Sequence, residues 1–430
     1  MKRATFILVG VILAGVAIPQ DLPPGVLLLS RVKRHIKEEL ERLPNISCLE
    51  TVQREYQPAR GKMRPLDTVR LEVLTDGKKE LFASPGDRKF SEGHPISYAG
   101  AGALGDGYFG LYLKSILVDS AASHEYKGEE EIGGRRLARY DYRLPLMWSG
   151  QIIRTPEGSG NVSLHGSYWA DARTYDVIRL ELNADDFPAT LSVTELVTSI
   201  NYARTGVGAN VVALLPESAE VRMVKFSGEI SHSRIEFKHC RVFGAQTTID
   251  FGAPESPEQT RFGVASVDDT LRPLPAGLQI AVKVRSKISA DMAVGALIDG
   301  AVAANVPAKG AVVIAAGSVV RGRIRRLERY TEPFPYFVVA LEFTEVELQG
   351  IRHRFYADLV EPAPGVERTL SISNKIEMVD RMGHGVETRR SSESLWLPAL
   401  PGVATFFFKG GKLDLPQGFR TVWKTRPFAP

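Results

Sequence analysis

Few of the side-chain patterns that announce chemistry occur in this sequence. Its eight histidines (35, 94, 124, 165, 232, 239, 353 and 384) make no HExxH and no close pair with a carboxylate at metal-ligand spacing. There is no GxSxG nucleophile elbow. A zincin or an α/β-hydrolase of the usual plan is therefore excluded, and no catalytic, metal or cofactor-binding residue is assigned. Charge of one sign is also scarce. Lys and Arg number 54 against 50 Asp and Glu, a net +4 over 430 residues, without the concentrated basic stripe that nucleic acid needs as a partner. Beyond the first eighteen residues no run is long and apolar enough to span a membrane as a helix. Cysteine is nearly absent, at Cys48 and Cys240 only.

The length favours two or three domains. A composition of 44% hydrophobic and 24% charged residues is that of a globular chain, and 39 Gly with 26 Pro favour many turns and hence many strands. The first residues read as an export signal over 1–17. Lys2 and Arg3 precede an uncharged apolar run at 4–18, and Gly15-Val16-Ala17 offers small residues for cleavage near Ala17. Fifteen residues at ~1.5 Å each fall short of a ~30 Å hydrocarbon core, which favours cleavage over retention as an anchor. No cysteine follows for lipid attachment. The expectation is a periplasmic protein, and in that oxidising compartment a Cys48–Cys240 disulfide is favoured over two separately buried thiols.

In GVLLLSRVKRHIKEELERL the apolar Leu28, Val32, Ile36, Leu40 and Leu43 recur at helical spacing until Pro44, predicting an amphipathic helix that covers a sheet. Strands follow. DTVRLEVLTDGKKELFAS turns at Asp76-Gly77, EIGGRRLARYDYRL follows a Gly-Gly turn, and LHGSYWADARTYDVIRLEL folds back around 171–176. ATLSVTELVTSINYAR, ANVVALLP, AEVRMVKFSG, SRIEFKHCRVFGA and QTTIDFG continue the series, giving an α+β layer over 18–251. Residues 252–270 are polar and turn-rich, a linker. From 271 to 430 the strands are short and no helical period appears, so a small all-β barrel or sandwich is expected, with the tail docked on it.

Gly100-Ala-Gly102-Ala-Leu-Gly105 formally matches the dinucleotide fingerprint GxGxxG. Only ten residues lie between Gly105 and Ile116, so a helix and a second strand cannot both fit before Asp119. Gly107 and Gly110 sit where that helix should run. The stretch reads instead as a Gly-Ala loop leading into a short helix, YFGLYLKSIL, whose Phe109, Leu113, Ile116 and Leu117 lie on a sheet face and are candidates for a ligand lid. Ser30-Arg-Val-Lys33 matches SxxK without companion motifs and reads as helix surface. Asp185-Asp186 and Asp268-Asp269 read as solvated loop acids. RGRIRRLER at 321–329 carries five arginines in nine positions. On a strand Arg321, Arg323 and Arg325 would line one face, either solvated and discouraging edge pairing, or touching an anionic surface.

RLPNISCLETVQREY, WADARTYDVIRLEL and LLPESAEV, within roughly 25–251, resemble the Lol-type lipoprotein carriers and a group of exported Gram-negative proteins that share both cysteine contexts. The resemblance implies a curved antiparallel half-barrel with helices plugging its apolar concave face. LPAGLQIAVKVRSKIS and GAVVIAAGSVVRGRIRRLE, within 274–330, resemble the β-barrel module of TrbI-like conjugation and secretion scaffolds. Ala315-Ala316-Gly317-Ser318 stands there where a Pro-Gly pair is usual, and no catalytic residue transfers. Together these readings describe an exported, non-enzymatic protein binding a lipid or acylated chain without a cofactor. Lipoproteins or envelope proteins are possible partners under this reading, with a peripheral membrane contact. The alternatives are an envelope assembly module with a filled core, and an envelope hydrolase whose residues are scattered in sequence.

Overall fold

A computed structural model of the protein describes residues 23–87, 90–91, 95, 103–119, 121–155, 158–208, 210–243, 271–308, 311–331, 334–361, 370–379, 386–395, 402–415 and 417–427. The expected signal segment 1–17, strand QTTIDFG and linker 252–270 lie outside these residues.

The predicted helix is α1 (Pro24–Arg42), opened by a proline at its first turn and ended ahead of Pro44, whose ring pushes Leu43 to an extended backbone. Val32 and Ile36 are buried, and Leu28, Leu29, Leu40 and Leu43 pack partly against the same core. Arg204 moors its polar side, bonding Glu39 of the helix and Asp176, which also meets His35 at 2.9 Å.

Twelve strands follow: β1 (Ile46–Gln57), β2 (Arg64–Thr75), β3 (Glu80–Ala83), β4 (Ser123–Ile132), β5 (Arg135–Leu144), β6 (Ile152–Thr155), β7 (Gly158–Asn161), β8 (Ser163–Asp171), β9 (Val177–Asp185), β10 (Val193–Gly208), β11 (Val211–Lys225) and β12 (Ile230–Val242). All except β6 and β7, which form their own hairpin, join one curled ten-stranded sheet in the order β3-β2-β1-β12-β11-β10-β9-β8-β5-β4. Every pairing within it is antiparallel. Two departures from the sequence reading stand out. ANVVALLP and AEVRMVKFSG are one strand, β11, which carries Pro216 through a register shift opposite Asn201 and Tyr202. A bulge is where a residue without an N–H is tolerated inside a sheet. The fold is also mostly antiparallel β with few helices, and the short helix expected over YFGLYLKSIL is reduced to Leu111–Leu113 and one π turn, Lys114–Val118.

The meander brings its first and last long strands side by side, and there Cys48 and Cys240 form a disulfide across a register shift between Ser47 and Leu49. The bond closes a separation of 192 residues.

The later chain builds a second antiparallel sheet. Its strands neighbour one another in the order Ile351–Arg354, Tyr336–Leu348, Val319–Tyr330, Leu297–Val302, Gln279–Val284, Arg420–Thr425, Ala357–Glu361. Val403–Lys409 pairs with Tyr336–Leu348. The tail thus supplies an interior strand, with Trp423 wholly buried among Phe343 and Phe355.

The two sheets meet where β3 is too short to cover β2. Arg70 N–H donates to Val294 O at 2.9 Å and Val294 N–H to Thr68 O at 2.7 Å. Beside this splice Arg54 grips Asp67 through two bonds of 2.6 Å, both side chains fully buried. Fully buried Glu328 accepts from Arg326 and from the Tyr330 hydroxyl, and its charge is felt at both Arg54 and Asp67.

Arg321, Arg323 and Arg325 are each ion-paired within the protein. They meet Glu347 at 2.7 Å, Asp87 at 2.5 Å and Glu342 at 3.0 Å, and Arg323 is buried. Register shifts after Arg321 and Ile324 break the alternation on which a single arginine face depends.

Replacing both cysteines (C48S with C240S) is expected to lower the unfolding free energy by about 2–4 kcal/mol through the restored freedom of the unfolded chain. Urea unfolding of the variant and of the reduced parent should agree; an unchanged midpoint would remove the disulfide from the account.

Candidate functional site

The inner face of the ten-stranded sheet carries registered rows. Leu196, Met223 and Ser231 sit opposite one another across β10, β11 and β12, and Thr198, Val221 and Ser233 make the next row. Further along, Ile200, Ala219 and Ile235 continue the apolar surface and are buried in the core.

Segment 103–119 crosses this face, packed against α1 and β12. Phe109 and Tyr108 meet Phe237 of β12 at ring distances of 5.0 and 5.5 Å. Three side chains from the sheet moor the segment. Glu80 of β3 accepts from Gly107 N–H at 2.7 Å and Phe109 N–H at 2.8 Å. The Ser233 hydroxyl donates to Ala103 O at 2.6 Å and that of Tyr202 to Tyr108 O at 3.1 Å. The described glycines of the stretch permit this close packing. A Cβ at Gly105 would lie 2.0 Å from the Tyr108 hydroxyl; Gly110 has φ +130°, and a Cβ there would lie 2.5 Å from Leu40 of α1. Gly100 and Gly102 of the formal fingerprint lie outside the described residues.

Between the rows and the crossing segment a cavity remains. The space open to the centres of water-sized molecules is about 110 Å³. Leu196, Val221 and Met223 form one wall, Ala103, Leu104 and Tyr112 another; Ile153 of β6, buried, and Ile152, exposed at the lip, complete the apolar lining. Asp106, Gln151, Arg154, Thr155, Thr198, Lys225 and Ser231 add polar groups, so the lining is mixed, with apolar surface the larger share.

Carboxyls lie behind the segment. Burial raises the Glu80 carboxyl to about 7; its two backbone donors pull the other way and the charge of Asp106 adds to the rise. Glu50 of β1, opposite Phe237, is buried with both oxygens lacking a hydrogen-bond partner among the described residues. Burial, with Glu80 and Asp106 behind it, pushes its carboxyl well up. Burial likewise raises the hydroxyls of Tyr108, Tyr112 and Tyr202. Among the described residues no cluster of three or more His, Cys, Asp or Glu could hold a metal ion.

The four candidate lid residues, Phe109, Leu113, Ile116 and Leu117, are buried in the core and do not line the cavity; Tyr112 and residues 103–106 do. Sequence reading missed Glu50, Glu80 and the Ser233 and Tyr202 moorings. Only Glu50 left a signal, an acid at an inward position of the Ile46-x-Cys48-x-Glu50-x-Val52 alternation.

No family model matches the chain, and no curated protein sequence matches it. Among solved structures it is similar to a LolA superfamily protein from Nitrosomonas europaea, at 10% identity and TM-score 0.28 over 51% of this chain and 94% of that one. It is similar to a DUF1329 family protein from Desulfovibrio piger, at 13% identity and TM-score 0.27 over 52% and 93%. A domain described as an outer membrane lipoprotein-sorting protein, from Vibrio parahaemolyticus, gives 11% and 0.28 over 53% and 95%. TM-scores this low carry no argument about ligand or partner. The TrbI-like resemblance of 274–330 has no counterpart among these three.

Glu80 binds its proton more tightly folded than unfolded, so its contribution to stability is full below about pH 4.5 and is lost as pH rises through about 7. Glu80→Gln should remove that slope. Urea unfolding at about pH 5 and about pH 8 should show the wild type losing up to about 3 kcal/mol relative to the variant; parallel pH profiles would contradict the assignment.

Proposed function

We propose that the protein is an exported, non-enzymatic binder of an apolar ligand, a lipid or an acylated chain, held between β10–β12 and the crossing segment. The carrying observation is the cavity whose Leu196, Val221 and Met223 face Ala103 and Leu104, on a sheet face otherwise filled by the protein's own side chains. Each Å² of apolar ligand surface buried there gains roughly 25 cal/mol. The volume suits a segment of acyl chain, and a longer stretch is admitted when the wall 103–107 moves. Ser233 on Ala103 and Glu80 on Gly107 and Phe109 latch that wall, while Phe109, Leu113, Ile116 and Leu117 root the lid in the core.

The Cys48–Cys240 disulfide supports an oxidising compartment such as the periplasm. No helix of the described residues is long and apolar enough to cross a membrane.

Two other readings meet specific observations. The well-filled inner face favours an assembly module. The buried carboxyls would suit a hydrolase, but Glu80 is engaged by two backbone N–H groups and Glu50 does not line the cavity. Of the three acids only Asp106 reaches it, and one carboxylate is not an acid–base pair.

Titration with the fluorescent apolar probe N-phenylnaphthylamine should show saturable binding, weakened about tenfold or more, ~1.4 kcal/mol, by Val221→Trp. Met223→Trp serves as a second filling variant, with thermal unfolding confirming that both fold. Absence of saturable binding, or equal binding by both variants, would favour the filled module.

A further inference from the structure

The chain between β5 and β6 exposes apolar side chains on a rigid tip. Pro145 opens a single helical turn, Leu146–Ser149, closed by Gly150 with φ +59°. The Ser149 hydroxyl, buried, donates to Val162 O, and Trp148 N–H donates to Pro145 O at 2.9 Å, so the turn is built rather than loose. On it Met147 is 79% exposed, Trp148 61% and Leu146 43%. Ile152, also exposed, continues the apolar surface into the cavity, whose lip it forms. Exposed Phe226 follows cavity-lining Lys225 in the chain. Scattered exposed apolar residues are ordinary on protein surfaces; three consecutive ones on a pinned turn beside a partly apolar cavity are not.

We infer that this tip docks the protein on a lipid bilayer containing anionic lipids, setting the cavity mouth against the membrane surface. Two features select that occupant. Trp and Met beside Leu form the amphipathic set that settles at the level of lipid headgroups. Arg143 and Arg154 flank the tip in the chain, both exposed and neither ion-paired among the described residues, which complements an anionic surface. A second copy is disfavoured because a two-fold contact through the tip would bring the same unpaired arginines together. The inference goes beyond ligand binding, since docking requires only the tip.

The test is co-flotation of the full chain with vesicles of phosphatidylethanolamine and phosphatidylglycerol, with pure phosphatidylcholine vesicles as the neutral arm. The wild type should float with the anionic vesicles, less so with the neutral ones and less at high salt. Met147→Asp with Trp148→Asp should reduce the floated fraction roughly tenfold at an unchanged thermal midpoint. Arg143→Ala should weaken flotation and flatten its salt dependence. Trp148 emission should shift to the blue on vesicle addition, a change that Trp148→Phe removes; Trp169 and Trp423 are buried. Val221→Trp should float like the wild type, which keeps a failure of docking distinct from a failure of the cavity reading. A wild type that stays with no vesicles, a double variant that floats unchanged, or a tip-dependent dimer in sedimentation velocity without flotation would overturn the inference.

Discussion

A sheet of ten antiparallel strands that curls on itself presents an apolar inner face, and that face cannot be left to water. The consequences of covering it run through the first half of the molecule. α1 covers one part with Val32 and Ile36. Segment 103–119 covers another with Tyr108, Phe109, Leu113, Ile116 and Leu117. An irregular segment carries backbone groups that must be satisfied when buried, and the sheet supplies them inward: Glu80 to two N–H groups, Ser233 and Tyr202 to two carbonyls. The cavity is the part of the inner face that this cover leaves free. Ligand binding on this account uses a gap in the cover, and the moorings of the cover set how far the gap can widen.

The second sheet is spliced onto the first. β2 runs past the end of β3, and Val294 takes up the unpaired edge at Thr68 and Arg70. Placing Arg54, Asp67, Arg326 and Glu328 at this seam is costly in desolvation, which their mutual bonds offset in part. Hydrophobic groups of similar size would serve stability as well; charged partners add a requirement of register, since a slip of one residue would leave a buried charge alone.

Much of the architecture was legible in the sequence where a local signal and the tertiary structure agree. The Val32–Ile36–Leu40 spacing, the Asp76-Gly77 and Gly133-Gly134 turns and the 171–176 hairpin are places where backbone propensity and burial ask for the same thing. The failures have identifiable causes. Pro216 reads as a strand end, yet a register shift carries it through β11. The arginines of 321–325 read as one face, yet two register shifts break the alternation, and Glu347, Asp87 and Glu342 pair with them. Phe109, Leu113, Ile116 and Leu117 read as a cover from their apolar spacing and are buried in the core; their segment is also moored by Glu80 and Ser233, polar residues whose partners are distant backbone groups that no periodicity reveals. Glu50 could have been noticed, because an acid in the row of Cys48 and Val52 must be buried if the row is.

The central claim is that the gap in the cover holds an apolar molecule. Native mass spectrometry of protein prepared from a periplasmic extract without detergent, followed by organic extraction, addresses it most directly. The account predicts a reproducible adduct of lipid size that the organic phase releases. A bare polypeptide mass across independent preparations would contradict it and leave the first sheet as a filled structural module.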